Sequence, residues 1–433
     1  MDERNDDTRG VGGGGYGEGA SPCGATVRDG DPGQSRSVSK RHCLWGAAAV
    51  LAVFAFLCEA KLWRPGEVFT IHENVQIAEA QAWWGGRLDL PERKWDSALF
   101  NGRVYSHFPP MFSFIAAAFT PWFDGVPHWA LVLIVVLPVP LLAYALFLRR
   151  TGSAMWAAVL AVGLLFGTSA YPVLDKTIRG AGPYHVNQTV AVVGLLVLLN
   201  EYYGRRRTWW MGVGLTVAAL SRQLTLAYAV PFVWAALRRE GERPAPGKLV
   251  AVALTAAVAL GLPLTLNSLK FGNPLDSGYM YVYNDRPEDD FSRDARTYGL
   301  FSIHYVPRNL YYANIGLPKL YRIEIEGVQR SFIRPNIWGT GIWWTTPLLL
   351  WVFVELRRLW RDPADRALLI AALLANAALL FYHSTGYRQR GFNRYSLDYV
   401  PALLTLVAPM CCIGWRRWVS LVMVGWSVVY FRW

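Results

Sequence analysis

The sequence predicts an all-α, polytopic membrane protein of about eleven transmembrane helices, with two large outer-face loops carrying amphipathic surface helices. Three observations predict it. The 433 residues are 53% hydrophobic with a mean hydropathy of +0.20, too apolar for an ordinary soluble globule, yet 17% are charged, which leaves room for sizeable water-facing loops. Aromatic residues are abundant, with 20 Trp, 21 Tyr and 20 Phe; Trp and Tyr suit a membrane–water boundary because each joins an apolar ring to one polar atom. The basic residues collect in alternate loops between apolar runs, as the positive-inside rule requires.

Residues 1–42 carry a GGGG run, Pro, Ser and mixed charge, and too few apolar residues to offset the entropy of ordering; they read as a disordered cytoplasmic tail. The apolar run after Lys40, Arg41 and His42 lies far from the first residue and no A-x-A pattern follows it, so it reads as a signal anchor with the tail inside. Residues 43–433 then form one transmembrane domain. Its spans fall at roughly 43–62, 128–148, 154–172, 186–203, 209–221, 224–237, 249–267, 338–356, 366–383, 396–413 and 418–432, the pair within 209–237 being short enough for a broken hairpin. With the tail inside, the inner loops hold 15 basic residues, from Arg149 and Arg150 to Arg416 and Arg417, against six acidic ones. Much of the +12 net charge is therefore a topology signal, and no nucleic-acid-binding module accompanies it. The expected location is a bacterial inner membrane, multi-pass, with a cytoplasmic N-terminus and membrane lipids as neighbours.

The two outer loops span about 63–127 and 268–337. The first begins with Ile71, Val75, Ile77, Ala78 and Ala82 interleaved with His72, Glu73, Gln76 and Glu79, and ends at Gly85-Gly86. That spacing predicts an amphipathic helix lying on the membrane surface. Met111 to Phe123 is apolar but too short to span, and reads as re-entrant or interfacial.

Absences narrow the chemistry. The chain has no phosphate-binding G-x-x-x-x-G-K-[ST], no H-E-x-x-H and no G-x-S-x-G. Its five cysteines avoid the long hydrophilic loops, which argues against a disulfide framework or a Cys-based zinc site. Charges deep inside the spans are scarce, which argues against proton-coupled transport.

Four constellations remain on the outer side. Thr70-Ile71-His72-Glu73-Asn74 places a carboxylate just past the first span, where it can act as a general base or ligate a divalent cation; it also fits a plain solvated helix face. Asn101 to Pro110 makes a turn at Gly102 and an extended entry at Pro109-Pro110, with His107 beside it to donate to an anion. Asn267 to Pro274, running on to Gly278-Tyr279, is a turn-rich opening of the second loop. Tyr387 to Tyr395 holds Arg388, Arg390 and Arg394 where the positive-inside rule discourages cations, and an Arg fork suits a phosphate there. Arg222 and Arg179 fall at outer span ends and could join the same basin. Six of seven histidines map outside in no known metal spacing; Glu73 and His72 are the residues a divalent cation would use.

These pieces occur in a telling order: an acidic residue after the first span, a surface helix, G-x-x-Y-S-x-x-P-P, Ser221-Arg222, N-x-x-x-F-G-x-P, and R-Y-x-x-D-x-x-P from Arg394 to Pro401. The order resembles the GT-C superfamily of integral-membrane glycosyltransferases, in the branch similar to protein mannosyltransferases and lipid A aminoarabinose transferases, over about residues 43–430. The chain departs from that pattern in having His72 rather than an acid before Glu73, and His107-Phe108 where a basic residue often precedes the Pro pair. The resemblance implies a polyprenyl-phosphate-linked sugar donor, a lipid, glycan or protein acceptor, and transfer on the outer face. Glu73 is the catalytic base it implies. Arg388, Arg390 and Arg394, with Arg222 and His107, would hold the donor phosphate. Glu79 and Glu92, further along the loop, are expected to be of little consequence. The alternatives are a lipid or polysaccharide transporter and a non-catalytic membrane subunit.

Overall fold

The computed structural model describes residues 40–57 and 66–432, apart from 71, 73, 95, 181, 239–244, 285–289, 326–327, 335, 337–338 and 385–392. Residues 1–39 of the proposed tail, Glu73, Arg388 and Arg390 lie outside the described residues, while Lys40 to His42 belong to the first helix.

Helical segments occupy each expected run. They include Lys40–Leu57, Pro183–Tyr202, Thr208–Ala219 and Arg416–Arg432. Caps set their starts where the sequence offers one: Ser153 accepts from Trp156 N–H, and Asp362 accepts from the N–H groups of Ala364 and Asp365. Among the described residues three helices are long and apolar enough to cross a membrane, His128–Thr151, Pro246–Phe271 and Pro363–Phe381, or four if Ala154–Phe166 and Ala170–Ile178, bent by 69°, form one span. The other apolar runs are broken. Pro347 divides 338–356 into pieces of four residues each, and the 209–237 run is a hairpin that turns at Ser221-Arg222. Pro246–Phe271 leaves most of its apolar surface uncovered by protein, from Leu249 to Leu269, which is the surface of an integral membrane protein and not of a soluble one.

The main core runs through the bundle, with Phe147, Phe166, Leu199, Tyr202, Tyr228 and Phe232 among its fully buried side chains. Pro183–Tyr202 is its axis. At 20 residues it spans about 30 Å and so joins two ends of the bundle.

The expected surface helix is corrected. Val75–Trp84, capped by Asn74 through its side chain, is covered by protein on both faces. Ile77 and Ala80 pack with Phe112, Val186 and Val190, while Val75 and Ala78 pack with Leu90 and Phe108. Its polar stripe therefore faces protein groups. Glu79, expected to be inconsequential, is fully buried, ion-paired with Lys270 and hydrogen-bonded by the Ser113 hydroxyl at 2.5 Å. Glu79, Ser113 and Lys270 come from three separate segments of the chain, a tertiary effect that periodicity does not carry. Met111 to Phe123 forms two short helices, Met111–Ala117 and Thr120–Phe123, with Trp122 of the second exposed. The second loop also contains an antiparallel hairpin, Lys319–Ile325 with Val328–Arg334, where only helices were expected.

Candidate active site

A cavity of about 140 Å³ opens at the N-terminal end of the Pro183–Tyr202 helix. Its wall is built from segments far apart in sequence: His107-Phe108-Pro109, Tyr184 and Asn187, Ser221 to Leu224, Ser277 with Tyr279, and Tyr382 with Tyr395. Three of the motifs noted above thus contribute wall residues, and R-Y-x-x-D-x-x-P contributes a fourth.

The segments are held by identifiable contacts. Ser221-Arg222 is the tight turn of the hairpin, with the Arg222 N–H donating to Ala218 O at 2.8 Å. Its guanidinium forks onto Asp398, Nε to Oδ1 at 3.3 Å and Nη2 to Oδ2 at 2.7 Å. Asp398 is fully buried, and Gln188 Nε2 and the Tyr228 hydroxyl donate to its carboxylate and carbonyl. Burial works against the Arg222 charge, but Asp398 outweighs it and holds the group firmly cationic. Tyr279 reaches the wall because Gly278 takes a left-handed φ of +73°, and any Cβ there would collide with the Phe271 ring. Below it, Lys270 donates to Ser106 O at 3.0 Å, so the Glu79–Lys270 pair ties the second outer loop to the residue before His107.

Arg394 is treated differently. Its guanidinium stacks over Tyr184 at 4.6 Å and Tyr395 at 4.8 Å, and its Nη2 donates to the Tyr395 hydroxyl at 3.0 Å. No carboxylate among the described residues pairs with it. Burial raises the Tyr395 phenol, but the guanidiniums of Arg394 and Arg222 bring it below its ordinary value. The site is thus cationic with aromatic walls.

The expected site residues divide accordingly. His107 and Arg222 stand on the wall and Arg394 directly behind it, packed on two wall rings. Arg222 is not a free cation, since Asp398 neutralises it; the sequence showed Asp398 only as one letter of a motif. Arg179 is bound to Asp175 one helical turn away, at 2.9 Å, and does not line the cavity. His72 is exposed, 3.8 Å from Glu92, and does not line it either. Among the described residues no three His, Cys, Asp or Glu side chains come together to hold a metal ion. Asn74, the sequence neighbour of Glu73, caps the helix whose Gln76 side chain donates to Pro109 O on the cavity wall at 2.9 Å.

No family model matches the chain, and no curated protein matches it. Among solved structures it is similar to ArnT from Cupriavidus metallidurans, crystallised in the apo state, at 12% identity and a TM-score of 0.40, over 88% of this chain and 62% of that one. The chain thus spans less than two thirds of that protein's length, and a TM-score of 0.40 is too low to carry residues or chemistry from one to the other.

Proposed function

We propose that the protein is a membrane glycosyltransferase that moves a sugar from a polyprenyl-phosphate-linked donor to an acceptor hydroxyl on the outer face of the membrane. One observation supports this above the rest: four motifs separated by up to about 290 residues of sequence meet at one cavity, at the end of the bundle away from Arg150, Arg358 and Arg416. A cavity with cations, ring faces and neutral polar groups suits a phosphate-linked sugar.

In this reading the acceptor oxygen attacks the anomeric carbon from the face opposite the phosphate. The new C–O bond forms as the bond from that carbon to the phosphate oxygen breaks, with inversion. Glu73 takes the acceptor proton, and polyprenyl phosphate leaves with the bonding electrons. Arg394, Arg388 and Arg390 stabilise the leaving phosphate, with His107 donating to it. Arg222, already forked onto Asp398, contributes its remaining N–H donors and not a net charge. The test is lipid extraction from cells lacking the protein, followed by mass spectrometry. Accumulation of one polyprenyl-phosphate sugar, reversed by the wild-type chain and not by Glu73→Gln, supports the reading; an unchanged lipid profile sinks it.

A further inference from the structure

Two carboxamides stand at the cavity wall without a place in the transfer chemistry. Asn187 lines the cavity from the first two turns of the Pro183–Tyr202 helix and is 2% exposed. Gln76, fully buried, lies behind it. The Gln76 Nε2 group donates both its hydrogens, to Pro109 O at 2.9 Å and to Asn187 Oδ1 at 3.2 Å. Those two bonds fix how both amides face. Asn187 Oδ1 is engaged as an acceptor, so its Nδ2 must point the other way, and there it has no partner. A buried amide donor with no acceptor is costly, and its presence asks for a ligand that supplies one.

The rest of the wall narrows that ligand's chemistry. A cavity of about 140 Å³ has room for roughly ten waters, the scale of one monosaccharide ring and not of an oligosaccharide. The faces of Tyr279, Tyr382 and Tyr184 offer flat apolar area. The Ser221 hydroxyl donates to Val217 O at 2.7 Å, leaving its oxygen able to accept. No carboxylate is among the described lining residues, so nothing there would match a cationic substituent.

We infer that this cavity is the subsite for an uncharged sugar ring, and that the Asn187 side-chain N–H donates to one ring hydroxyl and so selects the sugar. Gln76 is the positioning residue that holds that donor in place. This rests on the transfer reading above for the kind of ligand, and adds which group reads it.

The test uses the full-length protein in membranes, with polyprenyl-phosphate-linked mannose, glucose and arabinose and the monodeoxy counterparts of whichever is transferred. Wild type should prefer the parent sugar to one particular monodeoxy donor by about 10- to 100-fold in kcat/KM. Asn187→Asp keeps the volume and the acceptor for Gln76 but removes the donor. It should abolish that preference, because only the parent sugar loses a contact, while any effect of the added charge on the donor phosphate slows both donors alike. Gln76→Leu should weaken the same preference, although it never touches the sugar, and a general packing defect would slow both donors alike. Melting temperature checks that each variant is folded. If folded Asn187→Asp retains the full preference, this inference is wrong and the transfer reading stands. If wild type transfers none of the sugars, the transfer reading fails and this inference fails with it.

Discussion

The cavity wall and the far end of the Pro183–Tyr202 helix use arginine differently. At the end where the Pro183–Tyr202 helix finishes, cations are matched by carboxylates. Asp365 receives Arg150 at 3.3 Å, Arg358 at 3.0 Å and the Tyr203 hydroxyl at 2.8 Å, while Glu355 receives Arg358 at 3.1 Å and also pairs with Arg416. At the cavity Arg394 rests on tyrosine rings with no carboxylate among the described residues, while Arg222 beside it is forked onto Asp398. The first arrangement closes charge within the protein. The second leaves charge available to something that arrives. A ring face attracts a guanidinium without cancelling its field, so an anion can still bind it. The difference separates a structural use of arginine from a functional one within one fold.

The sharpest way to break that comparison is Glu73→Gln. If the aromatic end is catalytic, removing the proposed proton acceptor should lower sugar transfer about 10²-fold or more with protein level unchanged. Near-normal turnover would leave the cavity end as a binding surface and nothing more. A second substitution separates catalysis from architecture within the same loop. Glu79→Gln leaves the Lys270 ammonium buried against a neutral amide, and thermal unfolding in detergent should show a loss of about 3 kcal/mol. Adding Lys270→Met should recover most of it, because an apolar pair has no stranded charge. Failure of that recovery would show that the pair does more than join the two loops.

The ion-paired end makes the converse claim. Asp365→Asn strands Arg150 and leaves Arg358 with Glu355 alone, and because both arginines are partly exposed the loss should be about 2 kcal/mol, smaller than for a sealed pair. Transfer per folded molecule should not change. A fall in kcat among folded molecules would mean the two ends are coupled through Pro363–Phe381, which carries Asp365 near its start and Tyr382 just past its end.

How much of this was legible follows from which forces are local. The apolar runs are written in single windows of sequence, so helices appear at each of them, and the three loops expected inside do meet: Arg150, Asp365, Arg358, Glu355 and Arg416 form one chain of ion pairs. The convergence of His107, Arg222, Tyr279 and Tyr395 on one cavity was foreshadowed by motif order. The partners were not. That Arg222 would find Asp398, 176 residues away, or Glu79 would find Lys270, 191 residues away, depends on how helices pack. Glu79 misled because its spacing is that of a solvated stripe, and only burial by Met111–Ala117 and Pro183–Tyr202 turns that stripe inward. Gln76 was read only as part of that polar stripe, and Asn187 carried no signal, being an ordinary polar residue on an apolar helix. The Lys319–Ile325 hairpin was hidden because its strands sit in a loop read only for charge and turns.

The smallest effect concerns the wall behind the cavity. His383 follows the Pro363–Phe381 helix and is 1% exposed, with Tyr279, Tyr382 and Tyr283 around its ring and Arg308 donating to its carbonyl at 2.7 Å. Burial, and to a lesser degree the Arg308 charge, lower its pKa to about 4. The unfolded chain takes up the proton near pH 6.5 and the folded one only near 4, so His383 is neutral in the fold at neutral pH. Its contribution is fully present above pH 6.5 and is lost as pH falls toward 4. Between pH 7 and 5.5 the loss should be about 1 kcal/mol, read as a falling melting temperature. His383→Gln keeps a polar group able to meet the Tyr283 hydroxyl, which lies 3.2 Å from the His383 Nε2, but cannot titrate. It should remove that part of the pH slope. If the variant keeps the wild-type slope between pH 7 and 5.5, the acid sensitivity arises elsewhere in the chain and His383 contributes none of it.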